Sequence, residues 1–148
     1  MNLKPSARRL TALRHKHHKD CVICGSANTG GLGLRCRVQR DGGVAAFFTG
    51  SRLLQGYDGW LHGGVIAALL DSAMTHCLFA HGCPAPTAEL QVRYSHPVRA
   101  GRRMRVSARI VQSKHPLHVL AAELCQDGQV KARASGKFVA KSLSGLKT

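Results

Sequence analysis

One acidic residue stands inside an apolar stretch of this sequence and is the first candidate for chemistry. Asp71 lies within VIAALLDSAMTHCLFA, directly after Leu69 and Leu70. An unpaired buried carboxylate costs several kcal/mol, so a partner or a function must offset its burial. Asp71 either pairs with an arginine of a later segment or lies at an oligomer seam, or it acts as a general base or nucleophile whose pKa is tuned by burial.

The tripeptide His62-Gly63-Gly64 directly precedes the same apolar stretch. At the start of a helix the backbone N–H groups have no partner within the helix, and the helix dipole favours negative charge there. Such a turn can bind the oxyanion of a carbonyl under attack, and two glycines allow a ligand to approach the backbone closely. His62 would either polarise that carbonyl or cap the turn.

Helix geometry separates these two features within one chain. With a rise of about 1.5 Å per residue, the helix start and Asp71 lie roughly 10–13 Å apart along the axis. That is too far for both to act on one carbonyl. We therefore predict a site that combines Asp71 of one chain with the glycine turn of another, which makes the protein an obligate homo-oligomer.

The surrounding patterns predict one helix and a sheet. The segments GLGLRCRVQ and VAAFFTG flank the turn Asp41-Gly42-Gly43, which favours a hairpin. The apolar helix stops at Gly82. After it, alternating or apolar runs predict four antiparallel strands: TAELQVRYSHPV, RRMRVSARIVQ, LHVLAAELCQ and VKARASGKFVA. The predicted fold class is α+β, with an antiparallel β-sheet wrapped around one long central α-helix.

Length and composition predict one folded domain over residues 21–148, since the chain has 148 residues and is 44% hydrophobic. Residues 1–20 carry no sustained hydrophobic period, so we predict a flexible, basic, His-rich tail. This tail lacks the apolar segment of a secretory signal, although an organelle transit peptide is an alternative. No stretch reaches the roughly 20 apolar residues of a membrane span. We expect a cytoplasmic protein with no membrane partner.

The charge is strongly positive, because 22 Lys and Arg residues face only 7 acidic ones. A polyanionic partner must therefore be considered. Only 5% of the residues are aromatic and no recognition motif is present, so no specific nucleic-acid partner is expected. Arg99, Arg102 and Arg103, at a predicted turn between strands, either bind the phosphates of a ligand or are solvated surface residues.

The six cysteines are irregularly spaced and are expected to be reduced thiols. Cys21 and Cys24 offer two zinc ligands at a suitable spacing, which His15, His17, His18 or Cys36 would complete. A second CxxC pair is missing and the histidines fall in the predicted tail, so a packed thiol pair is favoured over a metal site. We expect no metal and no separate cofactor. No cysteine lies in a recognisable Cys-His motif.

The string QGYDGWLHGGVIAALLDSA resembles the signature of hotdog-fold thioesterases of the phenylacetate-degradation type, in which an acidic residue follows the His of HGG by nine positions. The resemblance extends over residues 21–148. It includes Cys21-x-x-Cys24-Gly25, the GLGL segment and the strand TAELQVRYSHPVRAG. It implies a hotdog fold and an enzyme that hydrolyses an acyl-CoA thioester to free acid and CoA. It also implies that the active site lies between two subunits of a homodimer or homotetramer.

The resemblance also implies roles for single residues. Asp71 matches the catalytic carboxylate of the family, and Gly63 or Gly64 matches its oxyanion N–H donor. Thr87 falls at a position that often holds Ser or Thr, and Gln55 falls where relatives carry an amide that orients the carbonyl. CoA enters as part of the substrate. If the three arginines of the predicted turn bind phosphates instead of being solvated, those of CoA are the candidates, because guanidinium matches phosphate geometry.

The family includes members without measurable hydrolysis. A non-catalytic acyl-CoA or acyl-carrier binding module is therefore the first alternative function. A hotdog dehydratase or isomerase is less favoured, because the sequence shows no second His/Asp constellation. A nucleic-acid-binding protein, suggested by charge alone, is the third alternative.

Overall fold

Two α-helices and six β-strands form the structure, a computed structural model that describes residues 3–140. The last residues of the predicted domain, 141–148, lie outside the described residues. A short 3-10 turn at Arg52–Leu54 precedes the second helix. The elements in chain order are α1 (Ala7–His18), β1 (Arg37–Val38), β2 (Val44–Thr49), α2 (Gly63–Ala80), β3 (Thr87–Tyr94), β4 (Arg103–Lys114), β5 (Leu117–Gln126) and β6 (Gln129–Val139).

The strands form one antiparallel sheet in the order β1-β2-β4-β5-β6-β3. Along β5 buried and more exposed residues alternate, because successive side chains of a strand point to opposite faces. Leu120 and Leu124 of this strand are fully buried in the core. The β5–β6 hairpin turns at Asp127 and Gly128, both with positive φ, as a tight primed turn requires. The predicted helix and the four strands after it are confirmed.

The core lies between the sheet and α2. Leu69, Leu70 and Met74 of α2 are completely buried, and each such side chain contributes about 1.5–3 kcal/mol through burial. α2 is also the one helix of the described residues that is long and apolar enough to cross a membrane, but 67% of that stretch is buried inside the fold. This composition is that of a core helix.

The prediction of a flexible tail over residues 1–20 is wrong for Ala7–His18, which form α1. The helix begins after Ser6, whose hydroxyl accepts a hydrogen bond from the Arg9 N–H. Leu10 is the one buried residue of α1. A single buried leucine gives no detectable hydrophobic period, so contacts with α2 rather than local patterning stabilise this helix.

α1 also supplies donors to the end of α2. The Ser6 N–H donates to the Ala80 carbonyl at 2.9 Å, and Arg9 Nη1 donates to the same carbonyl at 3.1 Å. The last carbonyls of a helix have no partner within the helix and carry partial negative charge. Ser6 and Arg9 therefore cap the C-terminal end of α2.

The first predicted strand is much shorter than expected, because only Arg37 and Val38 pair with β2. Upstream of them the chain folds on itself instead of joining the sheet. Leu32 N–H donates to the Val22 carbonyl at 2.8 Å, and Leu34 N–H donates to the Ile23 carbonyl at 2.9 Å. Residues 21–36 thus form a separate ordered loop beside α1.

Candidate active site

Asp71 of α2 and Thr87 of β3 form the first half of the candidate site. The Thr87 hydroxyl donates to Asp71 Oδ1 at 2.7 Å. Thr87 begins the strand at the edge of the sheet, so this contact lies at the margin of the core. Among the described residues the carboxylate has no salt bridge, so the structure does not support the alternative in which an arginine of a later segment pairs with Asp71. A short hydrogen bond from a hydroxyl replaces it.

The surroundings of Asp71 shift the pKa of its carboxyl group in opposite directions. Burial raises the pKa of the Asp71 carboxyl, whereas the hydrogen bond from Thr87 and the nearby His18 lower it. Burial has the opposite effect on His18 and lowers the pKa of its imidazole, because the charged form of histidine is the protonated one. A carboxylate that is partly desolvated yet hydrogen-bonded accepts a proton more readily than a fully solvated one, as a general base requires.

A cavity of about 300 Å³ opens beside this pair. α2 and the segment before β3 form much of its wall, and α1 contributes two histidines. The lining includes His17, His18, Asp71, Thr75, Phe79 and Thr87. Sequence reasoning named these two histidines only as candidate zinc ligands. It missed their place beside Asp71 because it put them in a flexible tail, and only the packing of α1 on α2 brings them here.

The glycine turn is the second half of the candidate site. His62 is the N-cap of α2, and its Nδ1 accepts a hydrogen bond from the Gly64 N–H at 2.8 Å. The capping alternative for His62 is therefore the one that the structure supports. Within residues 3–140 the Gly63 N–H donates no hydrogen bond. Of the two candidate oxyanion donors, Gly63 is thus the one that remains open to a ligand.

Two neighbours hold the glycine turn in place. The Tyr94 hydroxyl donates to the Gly63 carbonyl at 2.8 Å. From the other side, the His62 N–H donates to the Leu54 carbonyl at 2.9 Å, which ties the turn to the preceding loop. Gln55 follows in that loop, and its side-chain oxygen accepts from the Gly59 N–H at 3.0 Å. Gln55 therefore lies beside the turn, with its oxygen already engaged.

The two halves do not meet within one chain. Gly63 and Asp71 lie on the same helix, eight positions apart, and such a spacing corresponds to about 12 Å along the axis. Each chain therefore carries one carboxylate half, Asp71 with Thr87, and one glycine half, Gly63 with Gln55.

The three arginines of the predicted turn are exposed and each has its own contact; Arg99 and Arg102 lie in the β3–β4 connection and Arg103 begins β4. The Arg99 guanidinium lies over Trp60, with 5.1 Å to the ring centroid, and that of Arg103 lies 3.8 Å from the centroid of Phe47. Arg102 forms a salt bridge of 3.0 Å with Asp127. No contact joins the three into one anion site among the described residues, and their role in binding phosphate stays a prediction.

A Cys-His contact that the sequence did not reveal joins residues 35 positions apart. The Cys83 sulfur is 3.1 Å from His118 Nε2, and His118 Nδ1 is 2.8 Å from the Ser113 hydroxyl. Burial raises the pKa of the Cys83 thiol and lowers the pKa of His118. Both shifts favour a neutral thiol and a neutral imidazole, which is the opposite of the thiolate that a nucleophilic cysteine requires.

The comparisons with known proteins agree with this architecture. A family model described as the thioesterase superfamily matches residues 58–132, which contain Gly63, Asp71 and Thr87 but not Gln55. One similar structure, a thioesterase superfamily protein, is 27% identical with a TM-score of 0.74; the match covers 79% of this chain and 61% of that protein.

Two further structures have the same fold at lower identity. The PaaI protein from the phenylacetic acid degradation operon of E. coli is 18% identical, with a TM-score of 0.76, and the match covers 92% of this chain and 96% of that protein. The smu.793 protein from Streptococcus mutans UA159, solved with bound acetyl CoA, is 20% identical with a TM-score of 0.68, covering 74% and 89%. This chain has the hotdog fold and belongs to the thioesterase superfamily.

Proposed function

We propose that this protein hydrolyses an acyl-CoA thioester to a free acid and CoA at a site shared by two subunits. The observation that carries the proposal is the 2.7 Å hydrogen bond from Thr87 to Asp71 beside an open cavity. A half-buried carboxylate oriented by one hydroxyl has the properties of a general base or a nucleophile. The acetyl CoA bound to the streptococcal relative supports this class of substrate.

In the proposed reaction, the thioester carbonyl accepts a hydrogen bond from the Gly63 N–H at the N-terminus of α2. This backbone dipole stabilises the negative charge that develops on the oxygen. Asp71 of the partner chain removes a proton from water, whose oxygen attacks the carbonyl carbon. The carbon–sulfur bond then breaks, and the CoA sulfur leaves and receives a proton.

Asp71 has a second way to act in the same geometry. As a nucleophile it would form an acyl anhydride, which water then hydrolyses. A single turnover in oxygen-18 water separates the two routes. Label in the Asp71 carboxylate indicates an anhydride that water opens at the Asp71 carbon. Label in the released acid alone fits a general base and also an anhydride opened at the acyl carbon, and trapping of the anhydride with hydroxylamine separates these two.

The surface around the glycine half supports a contact with a second chain. Leu53 is 94% exposed and Tyr57 is 87% exposed, and both lie in the loop that leads to the turn. Tyr94, which contacts Gly63, is also exposed. Apolar side chains that cluster beside an incomplete site mark an interface. β3, which begins at Thr87, is the last strand of the sheet, so its outer edge is free to contact a second chain at the carboxylate half.

The test measures the loss of thioester absorbance for short, long and aromatic acyl-CoAs, because the six cysteines of the protein would confound a thiol dye. We expect Asp71→Asn to reduce kcat by about 10²–10⁴, the usual contribution of a general base. Glu123→Gln, which changes a carboxylate on the outer face of the sheet, is the matched control.

Three results would decide the outcome. Hydrolysis of one acyl class that requires Asp71 supports the proposal. Saturable CoA-ester binding without turnover would leave a non-catalytic binding module instead. Hydrolysis that persists undiminished in Asp71→Asn would remove Asp71 from the mechanism.

A further inference from the structure

Three soft ligand atoms meet where α1 ends, outside the hydrogen-bonded pair of Asp71 and Thr87. A ring nitrogen of His18 and the sulfurs of Cys21 and Cys24 all lie within 4.8 Å of one another. His18 Nδ1 is 3.5 Å from the Cys24 sulfur. In a tetrahedral zinc site, with bonds of about 2.1 Å to nitrogen and 2.3 Å to sulfur, neighbouring ligand atoms are roughly 3.6–3.8 Å apart. The observed spacing is close to that of a ligand set.

The turn that carries the two cysteines is fixed by its own backbone. The Ile23 N–H donates to the Cys21 sulfur at 3.4 Å, and the Gly25 N–H donates to the Cys21 carbonyl at 2.8 Å. A side chain at Gly25 does not fit, because its Cβ would lie 2.4 Å from the Cys21 nitrogen. An N–H directed at sulfur favours the thiolate form of Cys21. Burial raises the pKa of the Cys24 thiol to about 12, so a bound ion has to displace the Cys24 proton, as metal ions do at coordinating thiols.

His18 is held in position by the core helix. Its ring meets Phe79 of α2 edge-on, with the ring centroids 5.1 Å apart and an interplanar angle of 87°. α1 thus delivers the imidazole to the cysteine turn through packing that involves no metal. The sequence argued against a metal site because it placed the histidines in a flexible tail, but His18 is the last residue of the helix α1.

We infer that His18, Cys21 and Cys24 bind one thiophilic divalent metal ion, with zinc as the occupant of choice. Two thiolates and one imidazole form a ligand set that suits zinc, whereas calcium and magnesium prefer oxygen. Two thiolates also neutralise the charge of the ion. The three ligands leave one tetrahedral position, which water can fill.

This site would tie the C-terminal end of α1 to the loop over residues 21–36. His18 also lines the cavity beside Asp71, so the ion would fix one wall of that cavity. The inference does not rest on the proposed hydrolysis. Metal content and activity can therefore be tested separately.

The experiment uses the untagged full chain, kept reduced and dialysed against zinc or cobalt. We expect about one zinc ion per chain by elemental analysis, as a single ligand set provides. We also expect thiolate-to-cobalt charge-transfer absorption in the near ultraviolet after cobalt substitution. Cys21→Ser, Cys24→Ser and His18→Phe should each lose most of the bound metal, and phenylalanine at 18 retains a ring against Phe79.

Cys125→Ser and His17→Gln are matched controls, because they remove a thiol and a neighbouring histidine outside the cluster. Both should retain the metal and the cobalt spectrum. The wild-type cobalt spectrum tests the proposal even if a cysteine variant fails to fold. A reduced wild-type protein without stoichiometric metal, or equal loss in the cluster and control variants, would overturn the inference.

Discussion

The hydroxyl of Thr87 is the residue-scale feature that explains how Asp71 is tolerated at the margin of the core. The sequence shows an acid among leucines and alanines, and it predicts that the carboxylate needs a partner. The residue pattern alone does not identify that partner, since Thr87 lies 16 positions away; the family resemblance names Thr87 as a site residue but not as the partner of Asp71. Only the placement of the edge strand β3 beside α2 brings the hydroxyl within 2.7 Å.

Thr87→Val should move the acid limb of the pH profile of kcat/KM to higher pH. The hydrogen bond from Thr87 lowers the pKa of Asp71, so its removal lets burial raise that pKa further. Asp71 then binds a proton at higher pH and loses its basic form earlier as pH falls. The measurement is kcat/KM across pH with the preferred acyl-CoA.

Thr87→Ser is the control, because it keeps a hydroxyl and should keep the wild-type profile. An unchanged acid limb in Thr87→Val would show that the hydrogen bond does not tune the group that limits the rate.

At the scale of elements, the packing of α2 on β6 depends on a missing side chain. A Cβ at Gly136 would lie 2.7 Å from the Phe138 ring and 3.1 Å from the Met74 sulfur. Met74 and Phe138 are both fully buried, so neither can move into solvent. The helix and the strand therefore approach as closely as a glycine allows.

Gly136→Ala should lower the free energy of unfolding by about 1–3 kcal/mol, the usual cost of overpacking a core. Chemical denaturation at fixed protein concentration measures this loss. Combining it with Met74→Ala should give less than the sum of the two single losses, because the smaller residue removes one of the clashes. Strict additivity would indicate that the strain lies elsewhere.

The elements differ in how far the sequence predicted them, and local patterning explains the difference. α2 and the four strands after it have strong apolar patterns bounded by turn residues, and their order was predicted correctly. α1 has one buried leucine among basic residues, so its existence depends on α2. In the loop over residues 21–36, the backbone groups of apolar residues form hydrogen bonds with one another instead of with the sheet.

The same contrast holds for the candidate site. His62 and Asp71 could be found because they interrupt or begin a recognisable helix. The place of His17 and His18 beside Asp71 and the Cys83–His118 contact could not, since each requires tertiary packing of distant segments.

At the scale of the whole molecule, each protomer carries two incomplete halves of the proposed site. Mixing Asp71→Ala chains with Gly63→Pro chains separates the two halves genetically. Proline removes the candidate oxyanion N–H, and it is tolerated at the first position of a helix, which Gly63 occupies. The Tyr94 ring also leaves room for a side chain, with its nearest atom 3.5 Å from a Cβ at Gly63.

Each variant alone should be inactive, and a refolded equimolar mixture should recover about one quarter of the wild-type rate. Half of the dimers are then mixed, and each mixed dimer has one intact site of two. The measurement is acyl-CoA hydrolysis after co-refolding, with separately refolded chains combined without exchange as the control. No recovery in a mixture that forms heterodimers would argue for a site within one chain.

The apolar character of α2 has a consequence for the time course of synthesis. The ribosome completes this helix at Ala80, but the last strand that covers it, β6, ends about 60 residues later at Val139. At a synthesis rate of about 5–20 residues per second, roughly 3–12 seconds pass between the completion of α2 and the completion of β6. During that interval the nascent chain displays a segment with the length and composition of a membrane anchor. Chaperones that shield apolar segments at the tunnel exit should therefore contact this chain between the completion of α2 and the release of β6.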